Sequence, residues 1–162
     1  MADLVDTARE VARHLLETPL PRRWSHVQAI AAKADRISAA VPIEDRAVLV
    51  ASAWLHDVGY SPDLVDTGFH SLDGARWLRR ERFNERIAAL VAHHSCAWLE
   101  AEERGLGDVL AAEFPREERV GRHGQREKIN NRIAVSSALT RIEPRQPIRF
   151  EKKRNMRHRL PR

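Results

Sequence analysis

The sequence predicts an all-α fold, a compact helical bundle, and three observations carry that expectation. Apolar residues recur at three-and-four spacing along almost all of residues 1–114. No stretch alternates β-branched and polar residues as a half-buried strand would. Prolines and glycines punctuate the helical segments. With 162 residues, 43% of them hydrophobic, the chain is long enough for one domain with a sizeable core.

Val5, Ala8, Val11, Ala12, Leu15 and Leu16 form one face of a first helix, closed by Pro19 and Pro21. A second is expected from just after Pro21 to just before Pro42, with Trp24, Val27, Ile30, Ala31, Ala34 and Ile37 on its apolar face. The third, over 43–59, has Glu44 and Asp45 in its first turn, a nearly continuous apolar middle, and Gly59 placed as a C-terminal cap. That pattern reads as the central buried helix. After the loop 60–69, a fourth helix is expected over 70–81. A fifth runs from the N-cap Asn84 through 85–103 to Gly105, and a short sixth covers 107–114.

Residues 1–20 are acidic and amphipathic, unlike a signal peptide, and the longest apolar run, 47–55, is far shorter than the ~20 residues of a membrane span. A soluble, cytoplasmic protein is expected. Cys96 is the only cysteine, which excludes an intrachain disulfide. Charge divides the chain in two. Residues 1–114 carry 13 Lys and Arg against 18 Asp and Glu, whereas 115–162 carry 15 against 5. The expected organisation is therefore a helical domain over 1–114 and a basic tail over 115–162. The tail has few large apolar residues and scattered prolines, the composition of a poorly ordered segment, although 127–143 has the pattern of one helix. Its positive charge offers phosphate contacts to nucleic acid or a seat on an anionic membrane surface.

The stretch AVLVASAWLHDVGYSPD, residues 47–63, runs straight from its apolar core into His56 and Asp57. Burying an ionised carboxylate is costly unless a partner or a metal neutralises it. Taken alone, the pair reads as a solvated helix end. Four more histidines change this: His26 on the second helix, His70 at the start of the fourth, and His93 and His94 on the fifth. Imidazole and carboxylate suit divalent transition ions, and helices around a central one can converge such ligands. His14, His123 and His158 stand apart from this pattern and read as solvated.

The order His26, then His56-Asp57 after ASAWL, then His70 followed by GARWL, then LVAHHS resembles the HD superfamily of metal-dependent phosphohydrolases, in its small bacterial branch. The resemblance covers roughly residues 20–114 and implies an HD-type helical bundle. It implies His26, His56 and Asp57 as metal ligands, with Asp57 as the catalytic carboxylate bridging two ions where two are bound. His70 and His94 match positions that complete a second site, with His93 a neighbouring candidate. The implied cofactor is one or two divalent ions (Mn, Fe, Mg or Zn), and the implied reaction is hydrolysis of a nucleotide or other small phosphoester by a metal-activated water. Arg76, Arg79, Arg80 and Arg82 offer guanidinium groups to a phosphate. The chain departs from the family's pattern late: no Asp follows Asp108, and only Glu143 falls where a late Asp would close the site. The alternative is a degenerate HD domain, weakly catalytic, acting as a binding module with its tail on nucleic acid.

Overall fold

The computed structural model describes residues 3–116 and two short strands, Arg119–Val120 and Arg126–Glu127. Apart from Glu127, which is in the second strand, the helix expected over 127–143 lies outside the described residues, as does most of the tail. The described chain is all-α apart from the antiparallel pairing of those two-residue strands. Its helices are α1 (Leu4–Leu16), α2 (Pro21–Ile37), α3 (Ile43–Leu55), α4 (His70–Arg80), α5 (Glu85–Ala92), α6 (Ala97–Glu103) and α7 (Gly107–Glu113). None is long and apolar enough to cross a membrane.

Helix α3 is the hub, packed against α1, α2 and α5. Its residues Val48 to Ala53 and Leu55 are all buried, as a helix apolar on every side requires. Ala8, Ala12 and Leu16 let α1 approach closely, while Trp24 of α2 stacks on Trp54 of α3 with ring centroids 5.6 Å apart. Helices α4 and α5 pair across the far side. Phe69 and Phe114 fill the core there, both buried.

Three expected boundaries move, each for a local reason. Helix α2 takes in Pro21 as its first residue, where the missing N–H has no intrahelical partner to lose, and it ends at Ile37 in a 3₁₀ turn. Helix α3 stops at Leu55, and a 3₁₀ turn at Val58–Tyr60 follows, so Gly59 is not a helix cap. A Cβ at Gly59 would stand 1.9 Å from the His70 carbonyl oxygen and 2.7 Å from the Gly74 nitrogen. Glycine is required there because α4 comes within backbone contact.

The single helix expected over 85–103 is two. Asn84 does cap it, its Oδ1 accepting from the Arg86 N–H at 2.9 Å. The spiral then breaks at His93, and Ser95 (φ 47°) and Cys96 (φ 61°) adopt left-handed backbone before α6 begins. Positive φ at two residues cannot continue an α-helix, and the break sends the two adjacent histidines to different places.

Candidate metal centre

The centre is assembled from four pieces of chain that meet at the C-terminal end of α3. His56 is the C-cap of α3 and Asp57 follows it, so the end of the most buried helix delivers both groups into the interior. Arg23 and His26 lie one turn apart on the same face of α2. His70 opens α4. Its approach is fixed by Asp73, whose carboxylate accepts from the N–H groups of Asp66, Thr67 and Gly68 and from the Thr67 hydroxyl, at 2.7–3.1 Å. His94 enters from the break after α5.

These side chains form two groups that share Asp57. His26, His56 and Asp57 make one, and Asp57, His70 and His94 make the other, with ligand atoms within 4.8 Å of one another in each. The carboxylate divides its oxygens between them. Oδ2 faces His56 Nε2 at 3.4 Å and His26 Nε2 at 3.9 Å. Oδ1 faces His94 Nε2 at 3.7 Å and His70 Nε2 at 3.9 Å.

The donor set fits a divalent transition ion. His56 Nδ1 donates to the Ala53 carbonyl at 2.8 Å and His94 Nδ1 to the Val91 carbonyl at 2.6 Å. Each bond fixes the ring and turns Nε2 toward Asp57 as the atom that would give up its proton to a metal, the arrangement that metal-binding histidines use. The Nε2 atoms of His70 and His94 are 3.2 Å apart. Two imidazole nitrogens each about 2.0–2.1 Å from one tetrahedral ion would be separated by about 3.3 Å. Ser71 Oγ lies 3.4 Å from both His70 Nε2 and His94 Nδ1.

Electrostatics within the cluster favour an ionised carboxylate among imidazoles. Burial would push the Asp57 carboxyl up, but His56 and His94 outweigh it and hold the group well below the usual range. Burial likewise opposes a charge on His56, yet Asp57 and the Ala53 carbonyl raise its pKa. His70 is driven down to about 3 by burial, with the neighbouring His94 adding to the effect. Burial also lowers His26.

Of the residues expected at a metal, the structure brings His26, His56, Asp57, His70 and His94 together. It takes His93 elsewhere: Nε2 bonds to the Phe114 carbonyl at 2.6 Å, and the buried Nδ1 has no hydrogen-bond partner among the described residues. Glu143 lies outside the described residues, as do His123 and His158. Asp57 is the only carboxylate in either described group.

Of the arginines of α4, Arg76 and Arg79 are occupied elsewhere. Arg76 bridges Glu113 at 2.5 and 2.8 Å and Asp66 at 3.0 Å, while Arg79 holds Glu85 and the Glu113 carbonyl. The guanidinium at the cluster is Arg23, whose Nη1 donates to Asp57 Oδ2 at 3.0 Å. Its Cζ sits 3.9 Å over the Tyr60 ring, and Tyr60 in turn stacks on His70 with centroids 4.0 Å apart. Sequence reasoning passed over both residues. The available signal was the three-residue step from Arg23 to His26, which puts them on one helix face.

Comparison with known proteins agrees with this geometry. A family model described as HD domain matches residues 23–137, more than half of the chain. No curated protein and no solved structure matches it.

Proposed function

The chain belongs to the HD domain family, and from that premise we propose that it is a metal-dependent phosphohydrolase acting on a nucleotide or other small phosphoester. The observation that supports this most is the division of Asp57, one oxygen to each histidine pair, which suits a carboxylate bridging two ions. In this reading His26, His56 and Asp57 would hold one divalent ion, and His70, His94 and Asp57 a second. A bound ion would lower the pKa of a water and neutralise a phosphoryl oxygen. The chain's own part is orientation. The Ala53 and Val91 carbonyls lock the His56 and His94 rings, Ser71 Oγ lies beside both His70 and His94, and the buried side of the cluster keeps bulk water from Asp57. Arg23, partly exposed at the rim, is the residue we assign to the substrate phosphate, which a guanidinium can grip through two N–H bonds.

The test is a phosphoester panel, nucleoside monophosphates included, with Mn²⁺, Mg²⁺, Fe²⁺ or Zn²⁺ added, run on the wild type and on Asp57→Asn. Metal-dependent turnover lost by at least about 100-fold in the variant is expected, the scale on which loss of a transition-state electrostatic contact acts. No turnover of any ester with any ion would contradict the proposal.

One observation favours a second reading, that of a binding module with weak turnover: neither described group contains a carboxylate besides Asp57. One negative charge compensates two divalent ions poorly. Glu143→Ala separates the two readings. Turnover abolished by it makes Glu143 the late carboxylate of an enzyme, whereas trace turnover unaffected by it favours the binding module.

A further inference from the structure

We propose that Arg23 makes the two halves of this centre unequal. Its guanidinium holds the Asp57 oxygen that faces His26 and His56, so that half accepts a divalent cation only when the guanidinium withdraws, and the half formed with His70 and His94 fills first. The inference rests on the metal-centre reading and adds an order of loading to it.

Three observations carry it. The first is competition for one atom. Arg23 Nη1 is 3.0 Å from Asp57 Oδ2, closer than either histidine of that group, at 3.4 and 3.9 Å. A cation taken by the same oxygen would meet a like charge at contact distance and would have to break a charge-assisted hydrogen bond. The second is that Oδ1 carries no such burden: among the described residues only His70 and His94 pair with it. The third is exposure. His94, His70 and His56 have side chains 3%, 12% and 5% exposed, whereas His26 is 41% exposed, so the guarded half has one loosely held histidine and the unguarded half none.

Arg23 has somewhere to go. Its Cζ already lies over the Tyr60 ring, a cation–π seat that does not depend on Asp57. Tyr60 is itself stacked on His70, a member of the opposite half. The displaced guanidinium would thus stay at the rim, charged and free of its carboxylate, where a substrate phosphate would arrive. Guarding and phosphate binding become two hydrogen-bonding states of one guanidinium held over Tyr60.

Titration calorimetry with Mn²⁺ on the full chain stripped by chelator tests this, with Arg23→Met and Arg23→Gln as variants that keep much of the stem but lose the charge. The wild type should bind in two steps, the weaker absent in His26→Ala and the tighter absent in His70→Ala. In both Arg23 variants the weaker step should tighten by about tenfold or more and the tighter one stay within about threefold, as expected for a charge acting on the near oxygen. Thermal melts supply a second readout independent of turnover. The stripped Arg23→Met protein should melt below the stripped wild type, since Asp57 loses its partner, and should gain more on adding Mn²⁺. A weaker step of unchanged affinity in both variants would overturn the guarding role and leave His26 exposure as the cause of the asymmetry. A weaker step that loosens would overturn it by making Arg23 a support. No Mn²⁺ uptake by any of the proteins would overturn the metal-centre reading and this inference with it.

Discussion

Asp57 is ionised, buried and shared, and the side chains around it converge from four separate pieces of the chain. Gly59 shows how tight that placement is. The absent side chain lets the backbone after the His-Asp pair lie against the first turn of α4, where the His70 carbonyl leaves no room for a Cβ. Gly59→Ala should therefore cost about 1–3 kcal/mol, the range for overpacking a filled interior, and should loosen metal binding by moving His70 away from Asp57. Urea melts and metal uptake on the same preparation check both. A neutral substitution would mean that the contact between the Val58–Tyr60 turn and α4 is slack. At this scale the histidines and Asp57 were legible because their order along the chain carries them. The reason for Gly59 was not: a glycine after an apolar helix looks like a cap, and the real cause is a backbone that arrives 11 residues later. Arg23 was hidden in the same way, 34 positions from its carboxylate partner.

Among the elements, the break between α5 and α6 decides which of two adjacent histidines reaches the centre. A continuous helix would project His93 and His94 about 100° apart. Left-handed backbone at Ser95 and Cys96 instead ends the spiral, so that His94 turns to Asp57 and His93 to Phe114. Apolar periodicity runs through the break and conceals it, since Ala97 and Ala101 continue a buried face. Ser95→Gly distinguishes the two geometries by sign. In a broken helix an exposed glycine relieves left-handed strain and should stabilise by up to about 1 kcal/mol. In an unbroken one it would destabilise by a similar amount. Chemical denaturation of the two proteins reads the sign directly.

Across the molecule, a long-range ion pair ties the last described helix to the site-bearing one. Arg76 of α4 grips both carboxylate oxygens of Glu113 at the end of α7, and this contact lowers the Glu113 pKa. A carboxyl whose pKa is depressed by folding adds stability above its unfolded value and loses it as the pH falls through the folded value. Glu113→Gln should thus be less stable than wild type at neutral pH by no more than about 1 kcal/mol, because the pair is a third exposed. That gap should close on acidification, and stability curves from pH 7 to pH 3 would show it. A gap that persists to pH 3 would assign the effect to packing. The all-α class and the central role of α3 were legible from periodicity alone. The bridging work of Arg76 and Arg79 was not, because a guanidinium on a helix face looks the same whether it awaits a phosphate or holds a distant carboxylate.

The account depends on metal, and elemental analysis of the full chain after reconstitution and gel filtration measures it most directly. One to two equivalents of a divalent ion per chain are predicted for the wild type, lost in Asp57→Ala, the substitution that removes the ligand common to both groups, and retained in His93→Ala. Absence of stoichiometric metal from the wild type, or metal that survives Asp57→Ala, would contradict it.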